Sequence, residues 1–105
     1  MAHDPPEQIE LVELVMTCER FPSQWEGRDG EGRWYYVRYR HNWFEVDRAA
    51  SRSDWWEDVG VEELVRVNCI AERSWGGRLP EALMLDLAGF RLAEGVRSSM
   101  EVGRR

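Results

Sequence analysis

Polar and apolar residues alternate most regularly between Arg33 and Arg40. One set of positions holds Arg33, Tyr35, Val37 and Tyr39; the other holds Trp34, Tyr36, Arg38 and Arg40. A period of two predicts a β-strand with two unlike faces. His41-Asn42 then reads as a two-residue reversal, since Asn tolerates a left-handed backbone. Trp43–Asp47 returns as a strand, with Phe44 and Val46 on one face and Trp43, Glu45 and Asp47 on the other. Upstream, Gln24–Arg28 is a short strand entering the turn Asp29-Gly30-Glu31-Gly32. The stretch from Pro22 to Val46 is therefore a β-meander, and its mixed polar-aromatic faces suit a half-exposed antiparallel sheet.

The flanks are less regular. Asp4-Pro5-Pro6-Glu7 has the form of a helix start. The following run fits a helix, with Ile9, Val12 and Met16 on one side, or a strand, with Val12, Leu14, Met16 and Cys18 on one face. Its shortness and valine content favour a strand over Ile9–Glu19, ended by Pro22. Arg48–Ser53 is a polar loop. Asp54-Trp55-Trp56-Glu57 has the outline of a capping box, and Gly60 interrupts any helix begun there. Val61, Leu64, Val65 and Asn68 share a helical stripe, predicting a helix over 61–72. Pro80 opens a second helix that places Leu83, Met84 and Leu87 toward the sheet, with Gly89 as its stop. Phe90–Leu92 adds a short strand, and residues 96–105 are expected to fray. The fold class expected is α+β: a three- to four-stranded antiparallel β-meander with two short helices on one face, forming a single domain over residues 1–95.

Composition narrows the class. A chain of 105 residues has room for one core, and six tryptophans can supply much of its buried area. All fourteen basic residues are arginine and none is lysine, which reads first as the mark of a G+C-rich genome. Net charge is −6 and unevenly spread. Residues 33–52 hold five Arg against two acids, a net +3, while residues 53–72 hold one Arg against six acids, a net −5. The meander is a basic island in an acidic protein. Overall acidity argues against duplex nucleic acid, whose binding rests on neutralising many phosphates, and suits a basic protein partner. Cys18 and Cys69 form no disulfide framework and no metal set; both lie in apolar contexts expected to bury reduced thiols. No signal peptide or membrane-length apolar run is present, so a cytoplasmic protein is expected.

Trp25, Trp34 and Trp43 recur every nine residues and are expected to stack across strands as core. Set against that, Trp34, Tyr36, Arg38, Arg40 and Trp43 together resemble a surface that stacks bases and grips phosphates, as in binders of nucleotides or single strands. Arg38 and Arg40 can equally pair with Glu45, Asp47 or Glu26. The second candidate site is Asp54, Trp55, Trp56, Glu57 and Asp58. Two adjacent helical tryptophans cannot both point the same way, so one is expected in the core and one exposed within an acidic rim, as in a site for a basic protein; with equal weight, both can cover the open face of the sheet. His41, His3 and the cysteines give no metal spacing or nucleophile pair, and Glu62-Glu63 point apart on a helix. No catalytic residues, metal or cofactor are expected.

Cys18, the segment P-S-Q-W-E-G over 22–27, the glycine turn and G-R-W-Y-Y-V-R-Y-R over 32–40 resemble a group of small uncharacterised proteins from actinobacteria and their phages. Their pattern is C-P-S-Q-W-E-G, D-G-R and Y-x-R-Y-R, followed by a strand and a short C-terminal helix. Here Glu19, Arg20 and Phe21 stand between the cysteine and the proline. Leu87-Ala88-Gly89-Phe90-Arg91 is similar to a T-A-G segment near their C-termini. The resemblance implies a fold class and a phage or bacterial origin, and no activity. The function expected is a non-enzymatic protein-binding accessory module that inhibits or modulates a partner, with a host factor and self-association as open choices. The alternative is a small-ligand, nucleotide or single-strand binder.

Overall fold

The alternation around Arg33–Arg40 becomes the centre of a sheet. A computed structural model describes residues 8–18, 23–68 and 79–100. Its strands are β1 (Ile9–Cys18), β2 (Ser23–Asp29), β3 (Trp34–Arg40), β4 (Trp43–Ala49), β5 (Glu62–Asn68), β6 (Phe90–Leu92) and β7 (Ser99–Met100). Helix α1 spans Arg52–Trp56 and α2 spans Glu81–Ala88. The order across the sheet is β5-β4-β3-β2-β1-β6, and β7 also pairs with β1. Strands β1 to β5 form an antiparallel meander, whereas β6 and β7 run parallel to β1 along its other edge.

Among the described residues the sheet thus has seven strands where three or four were expected. Two differences account for this. The stretch expected as a helix over 61–72 is strand β5 as far as Asn68, and 69–72 lie outside the described residues. Pairing of β4 with β5 shifts between Val46/Asp47, opposite Leu64. That bulge inserts one residue into the period of two, so Leu64 and Val65 both pack toward the core and mimic a helical spacing. At the other edge, Ser99–Met100 forms β7 within the stretch expected to fray.

One face of the sheet makes the core. Leu11, Leu14, Trp25, Tyr35, Val37, Tyr39, Phe44 and Val46 join Leu79, Met84, Ala88 and Phe90. The set Tyr35, Val37 and Tyr39 is therefore the buried one. Helix α2 covers this face through Met84 and Ala88, with Leu83 and Leu87 packed beside them. It ends at Gly89, whose φ of 74° is the left-handed turn glycine accepts readily. The chain then passes directly into β6, where Ile9 N donates to Gly89 O at 2.8 Å. Leu79 N donates to the buried Ser23 Oγ at 3.0 Å, fixing the approach to α2.

Both meander turns follow their residue chemistry. His41 and Asn42 have φ of 53° and 68°, as a two-residue reversal requires. At the other turn Asp29 organises the chain. Its Oδ1 accepts from Glu31 N (2.9 Å) and Arg33 N (3.0 Å); its Oδ2 accepts from Arg33 Nε and Tyr35 Oη, each at 2.8 Å. Burial pushes this carboxyl up, but the bonds from Tyr35, Arg33 and Glu31 outweigh it and hold it below the ordinary aspartate range. Among the described residues, no helix is long and apolar enough to cross a membrane.

Candidate functional site

The second face of the sheet carries the polar positions, arranged in rows across the strands. Glu26, Tyr36, Asp47 and Glu63 make one row; Gln24, Arg38, Glu45 and Arg66 make the next; Arg40, Trp43 and Asn68 close that end. Glu45 sits between two guanidinium groups, 3.2 Å from Arg38 Nη2 and 3.8 Å from Arg66 Nε. Arg66 also lies 4.8 Å from the centroid of Trp43. Such ladders of exposed charge hold little energy singly but fix where each charge stands.

Helix α1 lies on this second face, opposite α2; of the two helices expected to share one face, only the one opened by Pro80 forms, since the other is strand β5 as far as Asn68. The N-cap of α1 is Ser51, whose Oγ accepts from Asp54 N at 3.1 Å, rather than Asp54 itself. The cap starts the helix inside the stretch expected as a loop and shortens it to five residues. The turn closes through Asp58 N to Trp55 O (3.1 Å) and Val59 N to Asp54 O (2.9 Å), with Asp58 at a φ of 57°.

This geometry sends the two tryptophans apart. Trp55 stacks on Tyr36, with centroids 4.0 Å apart and planes inclined by 13°. Trp56 meets Trp55 edge-on at 5.2 Å and is 67% exposed. Arg52 reaches back from the helix to Glu26 at 3.2 Å and passes 5.9 Å from the Trp34 ring. The two sets of candidate residues, separate in sequence, therefore meet at Tyr36 and Trp55.

The rows also explain the electrostatics. Burial, reinforced by Glu26 and partly countered by Arg52, pushes the Tyr36 hydroxyl up to about 12. Among the described residues that buried hydroxyl makes no hydrogen bond of good geometry, although the Arg52 guanidinium lies close enough to oppose the rise. Asp47 is raised as well, by burial first and then by Glu45 and Glu63; Arg38 opposes this and Asp58 adds to it. Asp47, named from the sequence only as a pairing choice for Arg38 or Arg40, stands without an ion pair among the described residues, since Arg38 takes Glu45 instead. The sequence places it two residues from Glu45, on the polar face of β4.

Other expectations fare differently. Trp25, Trp34 and Trp43 do not form one stack: Trp25 is fully buried in the core, while Trp34 and Trp43 stand on the second face. The even spacing was misleading because the strands' alternation assigns the three to different sides. Arg38 pairs with Glu45, as weighed, and Arg40 is exposed. Tyr36 is already covered by Trp55, so the five aromatic and arginine candidates do not form an open platform. Cys18 is half-buried and Cys69 lies outside the described residues. No group of three metal-ligating side chains converges among the described residues. No family model, curated protein or solved structure matches the chain.

Proposed function

We propose that this chain is a non-enzymatic protein-binding accessory module, of phage or bacterial origin, that inhibits or modulates a basic partner protein. The observation that carries the reading is Trp56, 67% exposed beside Val59 at 55%. Large apolar side chains held out by a capped turn gain their free energy on association rather than on folding. Glu57 and Asp58, next to Trp56 in the chain, are exposed, and Glu63 is exposed on the same face of the sheet, giving the acidic character that steers a cationic surface inward.

The test is a titration with a soluble arginine- and lysine-rich peptide, followed by tryptophan fluorescence. Trp56→Ala and Asp58→Asn should each weaken binding about tenfold while the fold is retained. Asn is chosen because it tolerates the positive φ at this position. Unchanged affinity in both variants removes the reading. A second reading, a nucleotide or single-strand binder, rests on the corner where Arg40 pairs across the strand with the exposed Trp43. Quenching of Trp43 by nucleotides and short oligonucleotides, lost in Trp43→Leu, is its measurement.

A further inference from the structure

Strand β5 is an edge: among the described residues it pairs with β4 alone. Successive residues of an antiparallel ladder direct their N–H and C=O groups to alternate sides. The bond from Asp29 N to Arg33 O at 3.0 Å sets the phase. Carried across the sheet by the register, it turns Phe44, Val46 and Arg48 toward β5, and Val67, Val65 and Glu62 opposite them toward β4. Glu63 and Arg66 therefore direct their backbone groups outward at the open edge, and both are exposed. In a regular strand two such residues stand two apart. Here they stand three apart, because the bulge places the extra Leu64 between them.

That spacing limits what the edge accepts. A regular strand matches Glu63 or Arg66 but not both; a strand carrying the same insertion matches both. We propose that this edge pairs with β5 of a second copy of the chain, antiparallel about a two-fold axis. Glu63 of one copy then lies opposite Arg66 of the other, and Leu64 opposite Val65, each pair formed twice. Faces agree in this register. Glu63 and Arg66 lie on the second face, across from Asp47 and Glu45, while Leu64 and Val65 both pack toward the core. A shift of one residue sets apolar side chains against charged ones. Charge agrees as well. Glu63 lies across from Asp47, a like charge, and Arg66 is loosely held, 3.8 Å from a Glu45 that Arg38 approaches more closely. Glu62, which meets Val67 of the second copy, is drawn back to Arg48 at 2.8 Å. Main-chain bonds along the joined edges supply the affinity, and the two Glu–Arg pairs fix the register. The proposal does not rest on Trp56 or on the docking reading.

Sedimentation velocity of the full chain at rising concentration should show a reversible shift from one copy to two. In the same series, amide hydrogen exchange at Glu63 and Arg66 should slow severalfold as the dimer forms. Glu63→Arg and Arg66→Glu each set like charges against one another across the axis, and each should weaken self-association about tenfold. Mixed together, the two variants restore opposite charges at both contacts and should form a heterodimer as tight as the wild-type dimer. A chain that stays single at every concentration overturns the proposal, as does a dimer that leaves exchange at Glu63 and Arg66 unchanged. Variants that self-associate like wild type, or that remain folded and fail to combine, also overturn it. The exchange comparison uses the unaltered chain, so it decides the matter if either variant folds poorly.

Discussion

Tyr36 and Trp55 lie face to face, 4.0 Å between ring centroids, and this stack ties α1 to strand β3 of the sheet. A five-residue helix is too short to hold itself together in water, so its position depends on that stack, the Ser51 cap and the Arg52–Glu26 pair. Trp55→Ala should cost about 1–2 kcal/mol, combining lost burial with a stacking contribution of about 0.5–1.5 kcal/mol. Trp56→Ala, next in sequence but exposed, should stay within about 0.5 kcal/mol. Chemical denaturation of the two variants measures the contrast. Trp55→Phe should recover most of the loss.

Asp29 concentrates four hydrogen bonds on one carboxylate, two from backbone N–H groups and two from side chains. Asp29→Ala strands the Tyr35 hydroxyl in the interior and should cost on the order of 2–4 kcal/mol. Asp29→Asn keeps one acceptor oxygen and should cost less. The folded carboxyl titrates below its ordinary value of 3.8. Its stabilising contribution is therefore complete above that pH and lost as pH falls through the lowered folded value. Acid-unfolding curves of wild type and Asp29→Asn should converge as the pH drops.

Asp47 should behave in the opposite sense. Its folded titration lies above 3.8, so the protonated form favours the folded state, and stability declines as pH rises from 3.8 through the raised folded value. Asp47→Asn removes that decline. The variant should be more stable than wild type at neutral pH, with the advantage vanishing in acid. Thermal melts at a series of pH values between acid and neutral show the crossover. A variant less stable at neutral pH would mean that the carboxylate has a stabilising partner.

Gly27 sits on the core face between Leu14 and Tyr35. A Cβ placed there would meet Leu11 Cδ1 at 3.0 Å and Glu13 O at 3.3 Å. The backbone oxygen cannot give way without disturbing the bulge in β1, so Gly27→Ala should destabilise by about 1–3 kcal/mol. The midpoint of urea unfolding measures it.

These residues also show what a sequence reader can see. The faces of β3 and β4 were legible because Trp34–Arg40 and Trp43–Asp47 keep an uninterrupted period of two. The left-handed His41-Asn42 reversal and the Gly89 stop were legible because few residue types suit those backbones. Strand β5 was not, because the bulge at Leu64 breaks its period. The opposed placement of the helices and the stack of Trp55 on Tyr36 were not either, since both arise from contacts nineteen or more positions apart. The role of β1 was half visible: its own strand character could be read, but not its parallel neighbours.

Those neighbours bear on how the protein comes to be made. Ile9–Leu11 pairs with Phe90–Leu92, and Val15–Met16 with Ser99–Met100. During synthesis β1 cannot finish its pairing until the end of the described chain has left the ribosome. Until then one side of β1 is a bare edge bearing Ile9 and Leu11, open to capture by a neighbouring nascent chain. Closing contacts so distant in sequence is slow. The protein's vulnerability to aggregation is thus concentrated in the interval between completion of the meander and arrival of β6.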